Sequence, residues 1–96
     1  MENTELSDKF KIAETNSFIK KISHNKYKRL YSKIESYVYP ILRNNPYYGP
    51  NIKRLKGDYS DLFRFRIGDY RLFYTIDNDK ILIFIIDILH RKDAYN

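Results

Sequence analysis

Arg64 and Arg66 stand two residues apart in "LFRFRI", a stretch that alternates apolar and basic side chains. In an extended strand that spacing sends both guanidiniums out of one face and Phe63, Phe65 and Ile67 out of the other. Gly68-Asp69 is a tight-turn pair, which would set Ile67 opposite Tyr70 and Arg66 opposite Arg71. Like charges facing each other on a sheet cost a few tenths to about 1 kcal/mol. Three arginines on one face therefore need a reason. An anionic ligand supplies one, because the guanidinium fork matches phosphate oxygens two at a time. The competing account is a solvated face whose cations are offset by Asp58, Asp61 or Asp69. A second candidate group closes the chain in "HRKDAY". His90 is a candidate acid or base, since imidazole titrates near neutrality, although a lone histidine is more often structural. Arg91 and Tyr95 alone are weaker signals.

The other chemistries have less to stand on. Two distant histidines, His24 and His90, and no cysteine make a poor zinc site. No Walker loop, G-x-S-x-G elbow or H-E-x-x-H occurs.

The elements that must carry these residues are legible in the periodicity. The first seven or eight residues read as a frayed tail. "KFKIAET" is a short strand with Phe10 and Ile12 on one face. Thr15, Asn16 and Ser17 are capping residues ahead of the apolar trio Phe18, Ile19 and Ile22, which predicts a short helix. Tyr27, Leu30, Tyr31, Ile34, Tyr37, Val38, Ile41 and Leu42 then repeat at helical spacing, and Pro40 must end or kink that second helix. "NNPYYGPNIKRLKGDYSD" reads as a loop punctuated by Asn-Pro, Gly-Pro and Lys-Gly-Asp. "LFRFRI", "YRLFYTI" and "KILIFIIDIL" are three strands in succession. The last is apolar almost throughout, so it is expected inside the sheet and buried on both faces. The sum is an α+β fold: an N-terminal strand, a two-helix hairpin, then an antiparallel three-stranded meander, forming one sheet with the helices on one face.

The composition sets outer bounds. Ninety-six residues suit one domain, 1–96, with 43% hydrophobic residues for its core. Without cysteine there is no disulfide and no thiolate nucleophile, which suits a reducing cytosol. No apolar run approaches the roughly 18 residues of a membrane span, and the polar start "MENTELSDKF" shows no signal peptide, so a cytoplasmic protein without a membrane partner is expected. Eighteen Lys and Arg against twelve Asp and Glu give +6, a balance compatible with a polyanion partner. Ten tyrosines and six phenylalanines fill a core, and any exposed ring could stack on an unpaired base.

The order of these pieces resembles the RelE/ParE superfamily of bacterial toxins from type II toxin–antitoxin pairs. The resemblance runs from about Phe10 to the C-terminus, through Leu55-Lys56-Gly57, "FRFRIGDYRLFY" and "HRKDAY". It implies a RelE-like fold. In the RelE branch it implies ribosome-dependent cleavage of mRNA in the A site, where the RNA's own 2′-OH attacks the neighbouring phosphate, with no cofactor and no metal. The family pattern falls on Arg64, Arg66, Arg71, His90, Arg91 and Tyr95 as catalytic residues, with Lys53, Arg54 and Lys56 of the basic loop as RNA or phosphate contacts. On this reading imidazole, guanidinium and phenol converge on one phosphate, with His90 the leading acid–base residue and Tyr95 stacking or donating a proton. Some members carry strand lysines or a glutamate base, whereas this chain has arginines and no obvious glutamate. The implied partners are a cognate antitoxin, the ribosome with its mRNA, and operator DNA only through the antitoxin complex. The ParE branch implies a different outcome on the same scaffold, inhibition of DNA gyrase without nuclease activity, and a catalytically silent binding relative is the third possibility.

Overall fold

The computed structural model describes residues 9–57 and 61–94. Five strands form one sheet in the order β1-β5-β4-β3-β2: β1 is Lys11–Glu14, β2 Ile52–Arg54, β3 Phe63–Ile67, β4 Tyr70–Asp77 and β5 Leu82–His90. β1 runs parallel to β5, and every other neighbouring pair is antiparallel. The helices are α1 (Asn16–Ile22), α2 (Lys28–Lys33), α3 (Tyr39–Asn44) and a short closing turn α4 (Arg91–Ala94).

The core lies between one sheet face and the helices. Phe18, Ile22, Ile34, Val38 and Leu42 from the helical layer meet Phe65, Leu72, Tyr74, Ile83, Ile85 and Ile88 from the strands. Thr15 starts α1 as the capping pattern predicts: its hydroxyl accepts from Phe18 N–H at 3.3 Å. Among the described residues, no helix is long and apolar enough to cross a membrane.

Three details depart from the sequence reading. β2 lies within the stretch read as loop. It has only three residues, and its extended form is set by pairing with β3 rather than by local propensity. β5 does sit inside the sheet, but helices cover only one of its faces, so Leu82, Phe84 and Leu89 on the other are half-buried. The third concerns Pro40. The chain neither ends its helix nor simply kinks there; α2 passes into α3 through a π-helical turn, Ile34–Val38, in which Tyr39 N–H reaches back to Ile34 O. The wider turn moves backbone carbonyls away from the pyrrolidine ring, so Pro40 can enter α3 near its start. It also shifts the buried stripe: Tyr39 is buried, while Tyr37, expected on the apolar face, is 51% exposed.

A cationic cleft at the hairpin end of the sheet

The hairpin has the register expected from its turn. Ile67 pairs with Tyr70, Arg66 with Arg71 and Arg64 with Phe73, so the three arginines leave one face while Phe63, Phe65 and Ile67 are buried on the other. Gly68 takes φ +55 at the first turn position, where glycine has no Cβ to clash. The two opposed cations avoid each other by unequal burial. Arg66 is exposed, but Arg71 is only 4% exposed and folds its guanidinium back on the turn, where Nη1 donates to Gly68 O at 3.1 Å and Tyr70 O at 3.0 Å. Carbonyl acceptors of this kind offset the cost of burying a cation.

Beyond Asn51, whose carbonyl accepts from Arg66 N–H at 2.9 Å, β2 no longer covers β3. A cleft of about 530 Å³ opens there, lined by Lys33, Tyr37, Asn51, Phe65, Arg66, Ile67, Gly68, Arg71 and Arg91. Four of these side chains are cationic and none is a carboxylate. Arg91 is held at its backbone, where its N–H donates to Asp69 O at 2.6 Å. Its side chain lies 3.6 Å from the Asp69 carboxylate with both groups more than half exposed, so water and salt screen that pair and leave the guanidinium available to an anion. Among the described residues, no cluster of three His, Asp or Glu side chains could hold a metal ion.

His90 is elsewhere. It pairs with Tyr70, whose ring its own meets edge-on at 5.3 Å, and Tyr27 packs against the same tyrosine from the helical side. Its Nδ1 accepts from Lys92 N–H at 3.2 Å. Leu89, not His90, faces Arg71. The cause is a bulge: Phe73 pairs with Asp87 but Tyr74 pairs with Ile85, so β5 carries one extra residue there. One extra residue inverts every side chain that follows. Asp87 supports the irregularity, its Oδ1 accepting from Ile88 N–H at 2.8 Å and from Lys21 Nζ at 3.0 Å. The expected convergence of imidazole and guanidinium is thus not the arrangement found, although Arg66, Arg71 and Arg91 do converge. Arg64 is half-buried one pleat further along, opposite Lys53. Arg54 points the other way, its guanidinium 5.8 Å from the Phe63 ring, and Lys56 is exposed beyond β2. Tyr95 lies outside the described residues.

A sequence profile of the ParE toxin of type II toxin–antitoxin system, parDE, matches residues 9–95. The chain belongs to this toxin family. Solved structures give the same fold. The toxin is similar to a chain of the RelBE2 toxin–antitoxin complex of Mycobacterium tuberculosis, at TM-score 0.71 and 22% identity over 85% of this chain and 98% of that one. It is similar to a YoeB/ParE toxin from Agrobacterium tumefaciens, at TM-score 0.69 and 18% identity over 84% and 98%. It is also similar to a chain of the archaeal RelE–RelB complex of Pyrococcus horikoshii, at TM-score 0.59 and 25% identity over 86% and 96%. No protein with a curated description matches it.

Two cleft residues of the toxin were not singled out from its sequence. Lys33 reads as an off-stripe helix cation and Tyr37 as core, and both line the cleft together with the β3 residues Phe65, Arg66 and Ile67. Pro40 was the available signal, since a proline forces the preceding turn to change and so moves Tyr37. A separate polar cluster also went unread. The Glu14 carboxylate accepts from Tyr31 and Tyr39 hydroxyls, both at 2.7 Å, tying β1 to the helices. Burial first, then the hydrogen bond to Glu14 and its charge, pushes both phenols well above the usual tyrosine range, so they stay protonated.

Proposed function

We propose that this toxin is a single-domain, ribosome-dependent endoribonuclease that cleaves mRNA in the A site. The observation that carries the reading is the convergence of Lys33, Arg66, Arg71 and Arg91 on one cleft, with no carboxylate among its described lining residues and only the exposed Asp69 beside Arg91. In the proposed reaction the ribose 2′-oxygen attacks the adjacent phosphorus as the bond to the 5′-oxygen breaks. A cyclic phosphate and a 5′-hydroxyl result, the 2′-OH proton going to an acceptor and a proton reaching the leaving oxygen. Guanidiniums are suited to the extra charge of the five-coordinate phosphorus, and holding a flexible backbone in line lowers the barrier further. Arg64 and Lys53 would track the RNA backbone beside the cleft, with Arg54 and Lys56 outlying contacts. Arginine holds its protons too tightly to be an ordinary base. Tyr95 is proposed to stack or to donate a proton, and part of the proton transfer would fall to the ribosome. His90, packed on Tyr70 and bonded to Lys92 N–H, is proposed as a positioning residue that fixes the start of α4 and therefore Arg91.

The complexes formed by the similar RelE and RelBE2 proteins support a cognate antitoxin as partner. We further propose that operator DNA is contacted only through that antitoxin and that the toxin acts in the cytoplasm. The test is primer extension on a message under translation, with purified toxin, Arg66→Ala and Arg91→Ala. Cleavage within codons by the wild type, reduced by roughly 10²–10³ in each variant, is the expected result for a lost transition-state contact. A second reading, a gyrase inhibitor without nuclease activity, is favoured by His90 facing away from the cleft and by the ParE description of the family. Inhibition of DNA supercoiling with no message cut would replace the first reading by the second.

A further inference from the structure

We propose that Tyr37 is a stacking platform for one unpaired nucleobase, next to the phosphate bound by Arg66, Arg71 and Arg91, so that the cleft takes a nucleotide of single-stranded RNA and not a phosphate alone. The inference rests on the phosphate-binding reading of the cleft and deepens it. Tyr37 differs from the other tyrosines of its helical run. Tyr27, Tyr31 and Tyr39 each contact a ring, a carboxylate or a cation. Tyr37 is 51% exposed and makes no ring or hydrogen-bond contact among the described residues. Its position follows from the π-helical turn, and an interruption of that kind inside a helix is frequent at functional sites.

The surroundings suit a nucleotide. Lys33, a turn earlier, shares the helical wall with Tyr37, while Arg66, Arg71 and Arg91 come from the sheet side. Phe65 and Ile67 also border the cleft but are themselves buried, so Tyr37 is the exposed aromatic ring of its lining. A site for phosphate alone has no use for an exposed aromatic ring, whereas a base has a π-face to stack on it. An unpaired base meets this requirement and a stacked duplex does not, because its bases are already covered.

The experiment compares two short labelled oligomers of equal length at low salt. One is a single-stranded RNA with a 2′-deoxy sugar at its central nucleotide, which cannot cleave itself there; the other is its abasic counterpart. Binding to the full toxin is measured by fluorescence polarisation, with thermal melting confirming that each variant is folded. The wild type should bind the base-bearing oligomer more tightly. Tyr37→Leu, which keeps apolar bulk and loses the ring, should weaken that binding by roughly 5- to 150-fold, the range of one base–aromatic stack, and leave abasic binding unchanged. Tyr37→Phe should bind like the wild type, and Arg91→Ala should weaken both oligomers. Equal affinity of the wild type and Tyr37→Leu for the base-bearing oligomer overturns the platform while leaving the phosphate reading intact. Parallel weakening of both oligomers by Tyr37→Leu also overturns it, since the residue would then be shaping the cleft. Failure of the wild type to bind either oligomer removes the phosphate reading and this inference together.

Discussion

At the scale of single residues, the two groups that look alike in sequence, a basic strand and a basic tail, contribute in different ways. Arg66 and Arg91 offer largely exposed guanidiniums, whereas Arg71 is buried and already engaged with the turn carbonyls of Gly68 and Tyr70. His90 is held by one ring contact and one hydrogen bond accepted from Lys92 N–H. A histidine that transferred protons in the rate-limiting step would show in the variants as a loss of roughly 10²–10⁴, with glutamine failing as badly as alanine. A positioning histidine behaves otherwise. Gln at position 90 can still accept from Lys92 N–H through its amide oxygen, so His90→Gln should keep message cleavage within several-fold of the wild type. His90→Ala should lose more, through a displaced Arg91. The pH–rate profile decides between the two roles: His90→Gln should keep the wild-type profile. Loss of one limb of that profile in His90→Gln would restore His90 as the acid–base residue.

At the scale of elements, one inserted residue in β5 determines which side chains can meet. The alternation of "LFRFRI" and the Gly68-Asp69 turn made the arginine face legible, because period two and a two-residue hairpin leave one register. β5 was opaque for the opposite reason. "KILIFIIDIL" is apolar at nearly every position, and a run without alternation carries no mark of a bulge. Asp87 was the one polar interruption, and it lies where the pairing shifts. β2 was hidden because its three residues become a strand only against β3, and Tyr37 because its exposure follows from a helical irregularity three residues before a proline. The bulge can be tested. Asp87→Ala removes the acceptor for Ile88 N–H and Lys21 Nζ, and hydrogen bonds to a charged group are worth about 1.5–3 kcal/mol. In a domain of this size that predicts a Tm lower by roughly 8–20 °C. Asp87→Asn keeps an oxygen for Ile88 N–H and loses only the partly exposed ion pair, so its Tm should fall by less than half as much. Equal melting of Asp87→Ala and wild type by circular dichroism would show that the bulge needs no such support.

At the scale of the whole molecule, a net charge of +6 draws any polyanion, and the cleft must be separated from this general attraction. The distinction lies in how many counterions binding releases. Each phosphate neutralised on single-stranded nucleic acid contributes about 0.7 to the slope of log affinity against log salt. If Arg66 and Arg91 each meet a phosphate, replacing both by alanine should lower the slope by about 1.4 and weaken binding most at low salt. The comparison protein is Lys20→Ala with Arg29→Ala, two exposed cations of the helical layer that do not line the cleft. Both double variants carry +4, two positive charges fewer than +6, so long-range steering falls about equally in each. Binding of single-stranded RNA across a salt series should then separate them, with the slope reduced in the cleft variant and close to wild type in the helical one. Equal reductions in both would mean that the charge of the molecule, and not the cleft, sets its affinity for RNA, and the four converging cations would then have to be explained by a partner other than nucleic acid.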